Sequence, residues 1–178
     1  MFNILENEHI LLRAIEPEDI DFLYDCENNT EIWNVSNTLV PYSRFYLKQY
    51  INNSNNDIYK DNQLRLMILL KEKNKTIGTI DLFNFDAYNM RAEIGILINN
   101  ENDRKKNYAS EALSILIKYC FEHLLLHQLH CSISENNKKS IILFEKYGFT
   151  NCGLRKEWLK TKNGWDNELL YQKINPNI

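Results

Sequence analysis

The chain has 178 residues, 44% hydrophobic and 25% charged, with a formal net charge of -3, which fits one globular domain and excludes an intrinsically disordered chain. That charge also argues against a basic face for a nucleic-acid backbone, and no apolar run reaches the ~20 residues of a membrane span. The first residues, MFNILENEHILLRAIEPED, lack the basic segment, apolar core and small-residue site of a secretory leader, so a cytoplasmic protein with no membrane and no nucleic-acid partner is expected.

In chain order, His9 to Ile15 reads as a first strand, and Pro17, Glu18 and Asp19 open a helix running to about Asn28 with Ile20, Leu23 and Tyr24 on one stripe. Thr30 to Ser43 has no clean period and reads as a structured loop, the kind of segment that shapes binding sites. Arg44 to Ile51 resumes a helical period. The segments QLRLMILLKE, TIGTIDLFNFD and RAEIGILI form an antiparallel meander broken by Asn-containing turns. Tyr108 to Leu125 keeps one unbroken helical period, and LHCSISE (Leu129 to Glu135) is a further strand. A helix from about Lys138 to Tyr147 follows, then two strands joined by Asn163-Gly164, a strong hairpin signal. The four cysteines, Cys26, Cys120, Cys131 and Cys152, form no C-x-x-C pair, so reduced thiols and no metal site are expected.

Two motifs carry chemistry. The first, RAEIGILINNENDRKKNYASEAL, runs from a strand through Arg104, Lys105, Lys106, Asn107, Tyr108, Ala109 and Ser110 into a helix. A helix start presents unpaired N–H groups and partial positive charge, which together hold a pyrophosphate; the other reading is a solvated cationic loop. The second, ENNKKSIILFEKYGF, is similar to the pattern N-x-x-[AS]-x-x-L-[YF]-x-x-x-G-F, with Ser140, Leu143, Phe144, Gly148 and Phe149 in its later positions and Asn136 in the pair of asparagines that leads it.

With the element order, these motifs resemble the GCN5-related N-acetyltransferases over nearly the whole chain, in the branch of ribosomal-protein and spermidine acetyltransferases. The resemblance implies one α+β domain over residues 1–178: a mixed, mostly antiparallel sheet of about seven strands, splayed in a V between strands 4 and 5 and flanked by about four helices. It implies acetyl-CoA as cosubstrate, no metal, transfer to a primary amine by direct attack, and a homodimer. The cofactor would lie along Gly95, Ile96, Leu97 and Ile98, with the N–H of Leu97 or Ile98 meeting the oxyanion, and would touch the 104–110 loop, Asn136, Ser140 and Phe144. The loop departs from the family pattern, with Asn107 and Lys105 where glycines are common.

Glu93 matches the branch's candidate base, and an ion pair with Arg91 is the competing reading. Phe144 stands where the family has a tyrosine acid. Tyr147, three residues on, is the substitute donor, with Tyr108 or solvent as others and a core role as the plain reading. His127 and His130 read as structural. The branch's acceptor pocket maps to Glu27, Glu31, Trp33, Asn34, Ser36 and Tyr42, with Trp158 and Tyr171 beside them. A protein N-terminus, an amino sugar and a polyamine stay open as acceptors, and so does a CoA-binding module without turnover.

Overall fold

The computed structural model describes residues 3–33, 38–54, 57–104 and 106–177. Its sheet has seven strands in the order β1-β2-β3-β4-β5-β7-β6: β1 Ile10–Arg13, β2 Leu64–Leu70, β3 Lys75–Asp86, β4 Arg91–Ile98, β5 Gln128–Ser134, β6 Thr150–Thr161 and β7 Gly164–Ile174. Every neighbouring pair is antiparallel except β4 with β5. The four expected helices are present as α1 Ile20–Glu27, α2 Arg44–Asn53, α5 Tyr108–Lys118 and α6 Lys138–Lys146. Among the described residues two further single-turn helices, α3 Ile58–Asp61 and α4 Glu101–Arg104, are too short to leave a period in the sequence.

The pleat sorts β2 onto two faces. Leu66 and Ile68 join the large core with Ile80, Leu82, Ile94, Ile98 and α5 residues Ala112, Leu113 and Leu116. Met67, pointing the other way, packs with Ile15, Leu23, Leu47 and Ile51 under α1 and α2. Local chemistry sets the helix ends. Before α1, buried Asp19 accepts both Arg13 Nη groups (2.7 and 2.8 Å) and the Glu16 N–H (2.9 Å). Burial pushes that carboxyl up, but the bonds from Arg13 and Glu16 outweigh it and hold Asp19 below its ordinary value. Ser43 caps α2 through the Tyr46 N–H, and Asn137 caps α6 through that of Ser140.

The long helix differs from expectation. After Lys118 it widens into a π turn over Tyr119–His123, and Leu124 N–H reaches back to Tyr119 O, five residues earlier. The apolar residues there, Cys120 and Phe121, stay buried, so the stripe continues although the backbone does not keep its pitch.

Candidate active site

β4 and β5 pair over three positions only: Arg91 with Gln128, Ala92 with Leu129, and Glu93 with His130. Beyond that point β4 continues to Ile98 against β3, and β5 continues to Ser134 against β7. The two strands therefore part at Glu93 and His130, and the expected V is where the resemblance put it. On the β4 flank, Asn99 N–H donates to Ile77 O at 3.0 Å, which sets the phase of the β3–β4 ladder. Antiparallel bonds alternate along a strand, so Leu97 and Gly95 turn their N–H groups to β3, while Ile96 and Ile98 turn theirs to the gap. Of the two N–H candidates, Ile98 faces the opening and Leu97 does not. Gly95 carries no side chain because the Phe83 ring lies 3.1 Å from where a β carbon would stand.

Arg104 closes the end of β4, donating from Nε to Ile98 O (2.8 Å) and from Nη2 to Asn99 O (2.9 Å). Its role is thus to tie the loop to the strand. Asn107 then adopts the left-handed conformation, φ 66°, and its side chain makes no cap bond to α5. The first N–H groups of α5, from Tyr108, Ala109 and Ser110, precede the first helical bond, Glu111 N–H to Asn107 O. Such a start suits a pyrophosphate. Lys106 lies 3.9 Å from buried Asp103, which also holds Lys75 at 2.9 Å, so part of the expected cationic field is neutralised. Lys105 lies outside the described residues.

The second motif is only partly assembled around the gap. Asn136 is exposed in the turn after β5, and Ser140 sits in the first turn of α6. Phe144 is only 3% exposed and packs edge-on against Phe149, ring centroids 5.0 Å apart. Its ring belongs to the core, which leaves it no open face for a cofactor. Tyr147 Oη shares a 2.8 Å hydrogen bond with Ser110 Oγ, which also accepts Lys146 Nζ at 2.8 Å; the tyrosine thus joins the end of α6 to the start of α5.

On the face covered by α1 and α2, Arg65, Asp81 and Gly95 stand opposite one another across β2, β3 and β4. Arg65 donates Nε to Asp81 (2.6 Å) and Nη1 to Glu27 (2.8 Å). Burial, the larger effect, pushes the Asp81 carboxyl up although Arg65 pulls it down. Arg65 is raised, its neighbouring anions overcoming the cost of burial. Two carboxyl groups thus share one guanidinium on this face.

Glu93 and His130 share this face as cross-strand neighbours. Asn84, at a left-handed position where the β3–β4 register slips, donates to Glu93 Oε2 at 2.9 Å. Of the acceptor candidates, Glu27 is held by Arg65, and Trp33 donates its indole N–H to Glu27 O at 2.8 Å. The Tyr42 backbone is held by the Asn28 side-chain amide, whose Nδ2 donates to Tyr42 O and whose Oδ1 accepts the Tyr42 N–H, and Glu31 is exposed. Asn34 and Ser36 lie outside the described residues. Arg65, Asp81 and Asn84 were absent from the sequence reading; a charged residue at an inward position of an apolar strand was the available signal. Two clefts, ≈ 360 Å³ beside Tyr50 and Arg65 and ≈ 610 Å³ beside Glu111 and Tyr147, flank the site without including the gap.

The family model for the acetyltransferase (GNAT) domain matches residues 9–150. The chain belongs to the GNAT acetyltransferase family. It is 31% identical over 159 residues to the uncharacterized N-acetyltransferase p20 of Bacillus licheniformis, covering 89% of this chain and 88% of that protein. It is 27% identical over 150 residues to the spermidine N(1)-acetyltransferase of Vibrio cholerae, with 83% and 82% covered. The crystal structure of the V. cholerae spermidine N-acetyltransferase with CoA and spermine superposes with a TM-score of 0.84 at 23% identity, covering 95% of this chain and 97% of that one. The GNAT chain is an acetyl-CoA-dependent N-acetyltransferase. Among the described residues no helix is long and apolar enough to cross a membrane, and no three His, Cys, Asp or Glu side chains are grouped to hold a metal ion.

Proposed function

We propose that this acetyltransferase acts on a cationic primary amine, which approaches across the α1/α2 face while the thioester lies in the gap between β4 and β5. The observation that carries this is the end of β4–β5 pairing at Glu93 and His130, which leaves the Ile96 and Ile98 N–H groups aimed into the opening. An N–H there donates to the oxyanion of the tetrahedral intermediate without reorganising, which is where such a donor lowers the barrier. The start of α5 at Asn107 to Ser110 holds the pyrophosphate, and Arg104 keeps that loop in register with β4.

Glu93 takes the proton that the amine loses. The thiolate needs little help, since a thiol of ordinary pKa ~8.5 is a good leaving group; Tyr147, bonded to Ser110 at the start of α5, is the side-chain donor, acting together with solvent. The anionic balance of Glu27, Arg65, Asp81 and Glu93 favours a cation over a sugar nucleotide, whose phosphates it would repel. A polyamine and a protein N-terminus both meet that condition, and relatives named for spermidine support the first.

The test is thiol release from acetyl-CoA with spermidine, an alanine-initiated peptide and a UDP-linked amino sugar as acceptors. Release with either cation, and a loss of ~10²-fold in turnover in Glu93→Gln with unchanged acetyl-CoA affinity, is expected. Turnover with the sugar nucleotide alone, or an unaffected Glu93→Gln variant, would overturn the assignment.

A further inference from the structure

His130 is the residue on which β5 leaves β4, and its side chain is on the same face as Glu93, directly across the last paired position. Its Nδ1 lies 3.9 Å from Glu93 Oε2, the oxygen that Asn84 already holds at 2.9 Å. Among the described residues these are the groups that address Glu93, and both address Oε2, so neither holds Oε1. The Glu93 side chain is 12% exposed and that of His130 35% exposed: the carboxylate is enclosed and the imidazole reaches solvent. An inner acceptor of protons thus stands beside an outer one with a route to water.

We propose that His130 is the second member of the proton-accepting pair, taking from Glu93 the proton that the amine nitrogen gives up and releasing it to solvent. The inference rests on the acetyltransferase reading in which Glu93 faces the amine. The ammonium first gives one proton to Glu93, which frees the nitrogen lone pair. The nitrogen then forms its bond to the thioester carbon, the C–S bond breaks with its electron pair leaving on sulfur, and a second N–H bond breaks, its proton passing to solvent, which with Tyr147 protonates the thiolate. The proton on Glu93 passes to His130 Nδ1 once the 3.9 Å separation closes to hydrogen-bond distance, which requires the tautomer with hydrogen on Nε2, and goes from there to water. His130 acts through Glu93 and is a positioning and relay group; it does not itself meet the substrate.

The charges around His130 suit the task. Burial lowers the imidazole pKa, Glu93 on β4 opposes that, and Arg91 on β4 and Arg155 on β6 add to it. Those two cations are each partly answered, Arg91 by Asp86 at 3.0 Å and Arg155 by Glu168 at 2.7 Å, and the facing residue on β7 is the neutral Gln172. The ring is therefore neutral at neutral pH and able to accept, and an imidazole is the side chain whose ordinary pKa of ~6.5 best matches proton exchange there.

Two measurements test this. An NMR titration of the histidine side chains, with His130 assigned from His130→Gln, needs no acceptor: Glu93→Gln should move the His130 midpoint further down, and an unmoved midpoint would overturn the coupling. With acetyl-CoA and the three acceptors above, His130→Gln should lower the plateau of kcat by about 10-fold to 10²-fold. It should also remove the acidic limb of the wild-type profile below pH ~6.5, with KM for acetyl-CoA unchanged. A profile of unchanged shape, merely scaled, would mean a structural histidine and overturn the proposal. Loss of turnover in Glu93→Gln with no effect of His130→Gln sinks this inference alone; thiol release with none of the acceptors sinks the reading beneath it as well. Should His130→Gln fold poorly, His130→Asn is put through the same profile and the titration in wild type and Glu93→Gln decides the coupling.

Discussion

Replacing Gly78 by alanine addresses the strand that the site depends on. Gly78 lies on β3 opposite Ile98, and a β carbon there would stand 2.1 Å from Leu97 O and 3.0 Å from Ile98 Cδ1. The nearer contact is with backbone, so no side-chain rotation relieves it. Reaching the ~3.5 Å of ordinary contact requires β3 and β4 to separate by about 1.4 Å at that point, enough to break the adjacent ladder bonds. One or two lost backbone bonds at ~1 kcal/mol each, with overpacking strain of ~1–3 kcal/mol, give about 2–5 kcal/mol. At roughly 2–4 °C per kcal/mol for a chain of this size, Tm should fall by about 4–20 °C. Because the displaced segment is Leu97–Ile98, acetyl-CoA affinity should fall too. Thermal unfolding monitored by circular dichroism, with and without acetyl-CoA, measures both; a Tm within about 1 °C of wild type would refute the close approach of the two strands.

Other expectations follow from single interactions. Arg65→Met leaves Glu27 and Asp81 facing each other without their shared cation, so urea unfolding should register a loss of about 3–5 kcal/mol; adding Glu27→Gln and Asp81→Asn should recover part of it. Asn107 holds φ 66°, where Asn107→Ala should cost about 1 kcal/mol and Asn107→Gly should tighten acetyl-CoA binding in a calorimetric titration. Asp19 is held below its ordinary value in the folded chain, so its contribution is complete above pH ~4 and is lost as pH falls through the folded-state value. Between pH 5 and 3, Asp19→Asn should lose less stability than wild type.

The strands and the four long helices were legible because their apolar period is their cause: residues on one face of β4 or α5 are buried for the same reason they repeat. The left-handed positions were less so, yet four of the described ones, Asn62, Asn74, Asn84 and Asn107, are asparagine, which gives the chain's excess of that residue a physical use. The π turn after Lys118 escaped because Cys120 and Phe121 stay on the buried stripe. Arg65 and Asp81 escaped because their meeting depends on strand register, which a single strand's pattern does not contain. His130 read as structural for a similar reason: its partner Glu93 is 37 residues away in sequence and adjacent only once the parallel pair forms.

The claim beneath all of this is an open strand edge. Residue-resolved amide exchange tests it most directly: Ile96 and Ile98 should exchange faster than Gly95 and Leu97 in the free protein, and should slow by at least about tenfold when acetyl-CoA saturates it. Equal protection of all four amides without the cofactor, or acetyl-CoA binding that leaves Ile96 and Ile98 as fast as before, would contradict the account.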